Sequence, residues 1–247
     1  MTRKERIELE KFSTQFEAKS RAIFNEIDSE LESILVFLKE GKMDVKIALA
    51  LTNYLIIRCV GMVEHFFRNL VRQYIDEKSF SVKGIIQNDE ISISLLDLEE
   101  IKKSGIVTSG RIVAHSFNFQ NLDELDSVIS KLLGGKSFFS RFSEYVEKMA
   151  LSDPPLTNNA YQFKWQEFHE LFDIRHDIVH RLKTGKTIDF ETLAKFKIYV
   201  GLFCMVAEFI FEEEDLIRNK VKLEQDNSKS YQERVKRIED FKTWTKS

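Results

Sequence analysis

The chain has 247 residues and a formal net charge of −3, and its 9 Gly and 2 Pro make up about 4.5% of the sequence, where average usage gives about 12%. So few turn-forming residues predict a mostly helical protein. Hydrophobic residues make up 43% and charged residues 31% of the chain, which excludes wholesale disorder and a collagen-like repeat. Because acidic and basic residues nearly balance, the net charge gives no signal for nucleic-acid binding.

The two cysteines, Cys59 and Cys204, both lie in apolar helical patterns. Two cysteines exclude a disulfide framework and a cysteine-based metal cluster, and they suit a reducing compartment. The first twelve residues carry charges where a signal peptide needs an apolar core. The uncharged apolar stretches at 47–57 and 198–207 are too short to cross a bilayer. We therefore expect a cytoplasmic protein without a membrane partner.

Two long helices are predicted at the start of the chain. Apolar residues recur at helical steps from about residue 12 to Gly41, where a glycine is placed to end the first helix. A second helix is predicted from Asp44 to Glu77, because one wide apolar stripe runs along it. Since the connection is short, the two helices should pair as an antiparallel hairpin.

The pattern changes between residues 78 and 160. Hydrophobic and polar residues alternate at 91–95, which is typical of a strand. Glycines punctuate the segment, at Gly84, Gly105 and Gly110. Helical periodicity returns in two short stretches, at 122–133 and 138–149. We therefore expect a mixed, partly irregular insertion that contains two short helices.

Two more long helices follow, at about 161–183 and 190–215. The predicted fold class is all-α: an antiparallel four-helix bundle with the insertion between its second and third helices and a C-terminal helical extension. Residues 1–214 would form this single domain, and residues 215–247 would form a charged terminal helix or tail.

Two charged residues interrupt apolar stripes. Glu64 shares a face of the second helix with Val60 and Phe67, and Arg175 lies between Phe172 and Val179 on the third. Because a buried charge needs a partner, the economical prediction is an ion pair between Glu64 and Arg175 across the two helices. Such a pair would serve catalysis, or it would only fix the register of the helices.

The third helix also carries a polar stripe at steps of four, three and four residues, formed by His169, Asp173, His176 and His180. Histidine exchanges protons near neutral pH. A histidine close to an arginine offers an acid–base group beside a fixed positive charge, which suits a reaction in which a phosphate gains negative charge.

The segment from Arg175 to His180, RHDIVH, resembles the R-x4-6-H signature of the HEPN superfamily of small helical-bundle proteins. The segment CVGMVEHFFR at 59–68 is similar to the apolar helix of that superfamily, which carries a single Glu. The nearest group is the prokaryotic one called RiboL-PSP-HEPN. The resemblance covers about residues 20–77 and 160–212, and it leaves the predicted insertion and the tail outside.

The resemblance implies a metal-independent endoribonuclease without a cofactor, plausible as a toxin or as a phage-defence or stress effector. It implies His180 as the general base or acid, Arg175 on the scissile phosphate and His176 as a phosphate-orienting group. Glu64, Asp173 and Asp177 would support them. Products would carry 2′,3′-cyclic phosphate and 5′-hydroxyl ends.

The resemblance also implies partners. These are an RNA substrate and a second copy of the chain that completes a composite site, with an antitoxin or a nucleotidyltransferase as a possible further partner. We expect the dimer seam on the third and fourth helices.

Two other functions remain open at this point. The first is a non-catalytic HEPN-like module for dimerisation or RNA binding. The second is a metal-binding helical protein that uses the histidines and aspartate of the polar stripe, although four ligands on one straight helix cannot surround an ion. His65 or Glu64 would then have to add a ligand from the second helix.

Overall fold

The computed structural model describes residues 25, 27–41, 44–76, 98–99, 108–152, 163–181, 188–223 and 236. Throughout these ranges the regular structure is helical, which confirms the predicted all-α class. The helices are α1 (27–39), α2 (Val45–Asp76), α3 (Ser109–Ser116), α4 (Leu122–Leu132), α5 (Phe138–Ser152), α6 (Trp165–Arg181) and α7 (Phe190–Leu223). The strand-like pattern at 91–95 lies outside the described residues.

The first two helices form the predicted antiparallel hairpin. Gly41 ends α1 with a φ of 67°, and its N–H donates to the carbonyl of Leu38 at 3.3 Å. Across the hairpin, Glu30 accepts a hydrogen bond from the Tyr54 hydroxyl at 2.5 Å and pairs with Arg58 at 2.8 Å. The bond from Tyr54 and the charge of Arg58 lower the pKa of Glu30.

The core is built around aromatic contacts between α2 and α7. The ring centroids of Phe67 and Phe203 lie 5.4 Å apart, and those of Tyr74 and Phe211 lie 4.7 Å apart. Since both partners advance by about two turns between these contacts, α2 and α7 run parallel. Phe203 is fully buried and also meets Phe138 of α5 at 5.6 Å, so it joins three helices.

Helix α6 packs against both of these helices. Phe168 lies 4.7 Å from Phe203, which places it at the same level of the core as Phe67. The segment 182–189 that joins α6 to α7 is short, so the two helices are antiparallel. Helix α6 therefore runs opposite to α2 as well.

Gly110 was predicted to break regular structure, and that prediction is wrong. The residue is buried in α3, where a Cβ atom would lie 2.5 Å from the backbone oxygen of Arg72 on α2. Glycine is needed here because the backbones approach so closely. The start of α3 is held by Asp76, which accepts hydrogen bonds from the Gly110 N–H at 2.8 Å and the Thr108 hydroxyl at 2.5 Å.

The two short helices predicted after this point are confirmed as α4 and α5. Asn121 caps α4 by accepting from the N–H of Asp123 at 2.9 Å. The helix ends at Leu132 and is followed by Gly134 and Gly135, whose φ angles are 80° and 86°. Glycines in this left-handed conformation are typical of a helix C-cap.

Helix α7 continues to Leu223, beyond its predicted end near residue 215. The predicted domain boundary at 214/215 therefore falls inside a helix. Arg141 of α5 pairs with Glu213 at 3.4 Å and with Glu214 at 3.1 Å. Arg218 donates to the carbonyl of Leu132 at 2.7 Å, so this end of α7 is tied to both α4 and α5.

Among the described helices, α2 is the one long and apolar enough to cross a membrane by length and composition alone. Its inner side belongs to the protein core, where Leu55, Ile56 and Val60 are fully buried. Its outer side also carries apolar residues, including Tyr54 and Ile57.

Candidate functional site

Arg175 lies where the inner face of α6 leaves the core. It follows buried Phe168 by two turns and buried Phe172 by one, so all three share a face. Arg175 itself is half-buried, and Val179, one turn further, is 40% exposed. Within the described part of the chain the Arg175 guanidinium makes no hydrogen bond or ion pair. Its half-buried side chain can therefore extend toward solvent.

His176 and His180 form the predicted pair on the outer part of α6. Both side chains are exposed, and their ring centroids lie 4.6 Å apart with a 42° tilt. This contact is what a spacing of four residues gives on a helix. Because the two imidazoles touch at the surface, an incoming ligand can meet both of them.

The other residues of the stripe are distributed along the same helix. His169 and Asp173 are exposed, and Asp177 is half-buried. His169 lies 6.3 Å from the Trp165 ring rather than against the other histidines. Across the described ranges, no three His, Cys, Asp or Glu side chains are grouped so that they could hold a metal ion. The arrangement therefore gives the metal-binding alternative no support.

The predicted ion pair between Glu64 and Arg175 is wrong. One carboxylate oxygen of Glu64 pairs with Arg68 at 2.8 Å, and the other accepts a short hydrogen bond from the Gln120 amide. The antiparallel course of α6 explains the difference. Phe67 and Phe168 lie at the same height in the core, so Glu64, one turn before Phe67, lies at the height of the turn of α6 that follows Phe168. Arg175 lies about one turn beyond that point on α6.

Glu64 instead belongs to a polar network, called here the α2–α3 network and formed by Glu64, Arg68, His115 and Gln120. Arg68 donates to Nδ1 of His115 at 3.1 Å. Because a guanidinium can only donate, Nδ1 must accept and the ring proton must lie on Nε2. The spacing of four between Glu64 and Arg68 was the one signal that pointed to the network.

The start of α6 is fixed by a separate contact with α7. The Tyr199 hydroxyl donates to Glu167 at 2.8 Å, and Lys164 pairs with the same carboxylate at 3.2 Å. Burial raises the pKa of Tyr199, and the bond to Glu167 adds to this effect. Burial opposes ionisation of Glu167, but its hydrogen bonds from Tyr199 and Lys164 lower its pKa overall. The helix that carries the motif is thus anchored at the end opposite His180.

The arrangement offers two kinds of chemistry. Two exposed imidazoles can accept and return protons near neutral pH. A guanidinium at the edge of the core can bind an anionic oxygen with charge-assisted hydrogen bonds. On one ideal helix, however, Arg175 and His180 point about 140° apart, so the Arg175 side chain must bend around the helix to reach the same ligand as His180.

Comparison with known proteins identifies the family. The RiboL-PSP-HEPN family model matches residues 22–213, more than three quarters of the chain. The outer bounds of this match enclose residues 78–160, and the insertion predicted there stays a prediction. Searches of curated proteins and of solved structures found no match. The chain belongs to the RiboL-PSP-HEPN family, within the HEPN superfamily.

Proposed function

We propose that this protein is a metal-independent endoribonuclease that cleaves RNA by attack of a ribose 2′-hydroxyl. Family membership supports a ribonuclease function. The observation that carries the proposal is the exposed contact of His176 with His180 beside Arg175. Arg175 and His180 are the two fixed residues of the R-x4-6-H signature, His176 directly follows the arginine, and all three can be reached by a ligand.

The reaction needs a base, an acid and a positive charge. An imidazole removes the proton of the 2′-hydroxyl, O2′ bonds to phosphorus, and the P–O5′ bond breaks. A protonated imidazole gives its proton to O5′, which leaves a 2′,3′-cyclic phosphate and a 5′-hydroxyl. Arg175 stabilises the negative charge that develops on the phosphate oxygens.

The position of the histidines supports a composite site. In an in-line displacement the entering and leaving oxygens lie on opposite sides of phosphorus. His176 and His180 lie side by side on one face of α6, so one copy supplies groups to only one side. A second copy of the chain would supply the opposite imidazole, which makes the active form a homodimer.

The biological setting is part of the same proposal. A cytoplasmic ribonuclease of this kind acts as a toxin or as a phage-defence or stress effector. Its activity would then be held in check by an antitoxin or a nucleotidyltransferase partner.

The test is cleavage of total RNA and of defined oligonucleotides by the purified protein, with and without EDTA, followed by analysis of the product ends. We expect cleavage that EDTA does not change and products with 2′,3′-cyclic phosphate ends. Loss of cleavage with EDTA would point to a metal site. No cleavage at all, with RNA binding or dimerisation retained, would favour the non-catalytic module.

A further inference from the structure

All the carboxylates of α6 lie on one side of that helix. Successive residues turn by about 100° around an ideal helix axis. Counted from Arg175 in this way, the acidic residues of α6 project at angles between about 160° and 280°. They are, in angular order, Asp173, Asp177, Glu170 and Glu167. The arc of about 140° from Arg175 to His180, called here the acid-free sector, holds no carboxylate over the whole of α6.

The half of the acid-free sector next to Arg175 opens to solvent toward the C-terminal end of α6. Phe168 and Phe172 lie in this half and are 0% and 7% exposed, so the core fills it over the first part of the helix. Val179 lies in the same half but is 40% exposed. Among the described residues of α6 it is the one exposed large hydrophobic side chain. An apolar side chain is therefore presented to solvent inside the arc that joins the two motif residues.

Val179 adjoins all three residues of the candidate site. It follows Arg175 by four residues and His176 by three, so it neighbours both on the helix surface, and it directly precedes His180. In angle it projects about 40° from Arg175 and about 100° from His180. A ligand that touches both the guanidinium and the His180 imidazole therefore passes over Val179. The other way around the helix, about 220°, passes the four carboxylates.

We propose that Val179 is a substrate-contact residue, on which one of the two riboses joined by the scissile phosphate rests. The proposal deepens the proposed function and rests on it. Arg175 holds the phosphate, and His180 exchanges a proton with an oxygen of that ribose, so the ribose spans the gap between them. Its carbon-bound hydrogens form an apolar face, and contact with the exposed valine removes apolar surface of both from water.

The charges of α6 favour this side of the helix for the ligand. Asp173 and Asp177 project just beyond His180, outside the acid-free sector. A phosphate placed on that side of His180 would be repelled by both carboxylates. On the Val179 side it meets the Arg175 guanidinium instead. The substrate therefore approaches the histidines across Val179.

The contact limits the size of the side chain at position 179. A much larger side chain would fill the space between Arg175 and His180, so that one ligand could no longer touch both. A smaller side chain would leave both groups in place and lose only apolar contact. Activity should therefore fall steeply with added bulk and only slightly when methyl groups are removed.

Steady-state cleavage of RNA tests this dependence. Val179→Trp should lower kcat/KM at least about hundredfold, because it separates a proton-transfer group that contributes about 100- to 10,000-fold from the bound phosphate. Val179→Ala should raise KM about three- to tenfold and keep kcat within about twofold, because apolar contact alone is lost. The matched control is Val36→Trp on α1, where the valine is 53% exposed, and it should cleave like wild type. Melting temperatures should stay close to wild type, since both valines are exposed.

Methyl NMR tests the contact without cleavage. The probe is a nucleoside 2′,3′-cyclic phosphate, the expected product end, offered with each of the four bases to protein that carries labelled valine methyl groups. It should shift the Val179 signals, which are assigned by their absence from the Val179→Ala spectrum, and leave the Val36 signals in place.

The two experiments separate the contact from the ribonuclease. Wild-type cleavage by Val179→Trp, equal losses in Val179→Trp and Val36→Trp, or a bound cyclic phosphate that leaves the Val179 methyl groups unshifted would overturn the contact while the ribonuclease stands. A Val179 shift in a protein that never cleaves RNA would overturn the ribonuclease and support Val179 as a nucleotide contact.

Discussion

The protein carries two sets of arginine and histidine side chains, and the structure uses them in opposite ways. In the α2–α3 network, Arg68 is bonded to both His115 and Glu64, and the carboxylate also binds Gln120. On α6, His176 and His180 touch only at the surface, and Arg175 makes no hydrogen bond or ion pair in the described part of the chain.

The difference shows that residue type does not decide which set does chemistry. Donors and acceptors that are satisfied within the fold hold helices together, and they cannot bind a ligand without first breaking those bonds. The α2–α3 network is half-buried and joins α2 to the 108–121 region. On α6 both histidines are exposed and Arg175 is half-buried, so this is the set to which the proposed function assigns the phosphate.

The largest expected effect separates the two sets by activity. Arg175→Ala and His180→Ala should each reduce RNA cleavage by about 100- to 10,000-fold, because each removes a group that acts in the reaction. The melting temperature should stay within error of wild type, since neither side chain is bonded within the described fold.

The matched change in the other set is His115→Ala. It should cleave RNA at close to the wild-type rate while it lowers the melting temperature, because Arg68 loses its acceptor. Equal loss of activity in His115→Ala and His180→Ala proteins would contradict the division between the two sets.

The contact that brings α3 to α2 can be broken at one glycine. Gly110→Ala should lower the free energy of unfolding by about 1–3 kcal/mol or more, because the added methyl group meets the Arg72 backbone oxygen at 2.5 Å. Gly201→Ala on α7 is the control, because a Cβ there meets nothing within 4 Å and alanine favours a helix by about 0.5–1 kcal/mol. Urea unfolding measures both, and equal stability of the two variants would rule out the close approach.

A double-mutant cycle can decide whether Glu64 forms its ion pair with Arg68 or with Arg175. Glu64→Ala and Arg68→Ala should each cost on the order of 1–2 kcal/mol, less than a fully buried pair because both side chains retain some exposure. The pair should show a coupling energy, whereas Glu64 and Arg175 should show none. Coupling between Glu64 and Arg175 would restore the pair that was predicted from sequence.

The smallest effect concerns an exposed carboxylate at the start of α7. Asp189 accepts from the N–H of Thr192 at 2.7 Å, and this bond lowers its pKa. A carboxyl group whose pKa is lowered in the folded state stabilises the fold at pH values above its ordinary pKa of about 3.9. That stabilisation is lost as the pH falls through the lowered pKa.

Asp189→Asn keeps a capping oxygen but does not titrate. Its melting temperature should therefore fall less than that of wild type between pH 5 and pH 3. If the two proteins respond alike to acid, the charge of Asp189 does not contribute to the cap.

Local patterns in the sequence predicted the helices well, because apolar periodicity and glycine caps act within a few residues. The hairpin of α1 and α2, the helix end at Gly41 and the contact of His176 with His180 all depend on such short spacings. The Glu64 partner and the burial of Gly110 depend on where α3 and α6 pack, which no local pattern contains. The predicted end of α7 near residue 215 rested on the loss of the dense apolar stripe from Leu216 on, whereas the helix continues to Leu223, with Glu212, Glu214 and Asp215 buried just before that point.

That acidic end of α7 has a practical consequence for any shortened form of the protein. The family match ends at residue 213, and a cut there or at 214 would remove Arg218. Arg218 supplies a hydrogen bond to the Leu132 carbonyl at the end of α4 and pairs with Glu214 at 2.9 Å. A fragment that keeps the end of α4 joined to α7 therefore has to extend past Arg218, beyond the end of the family match.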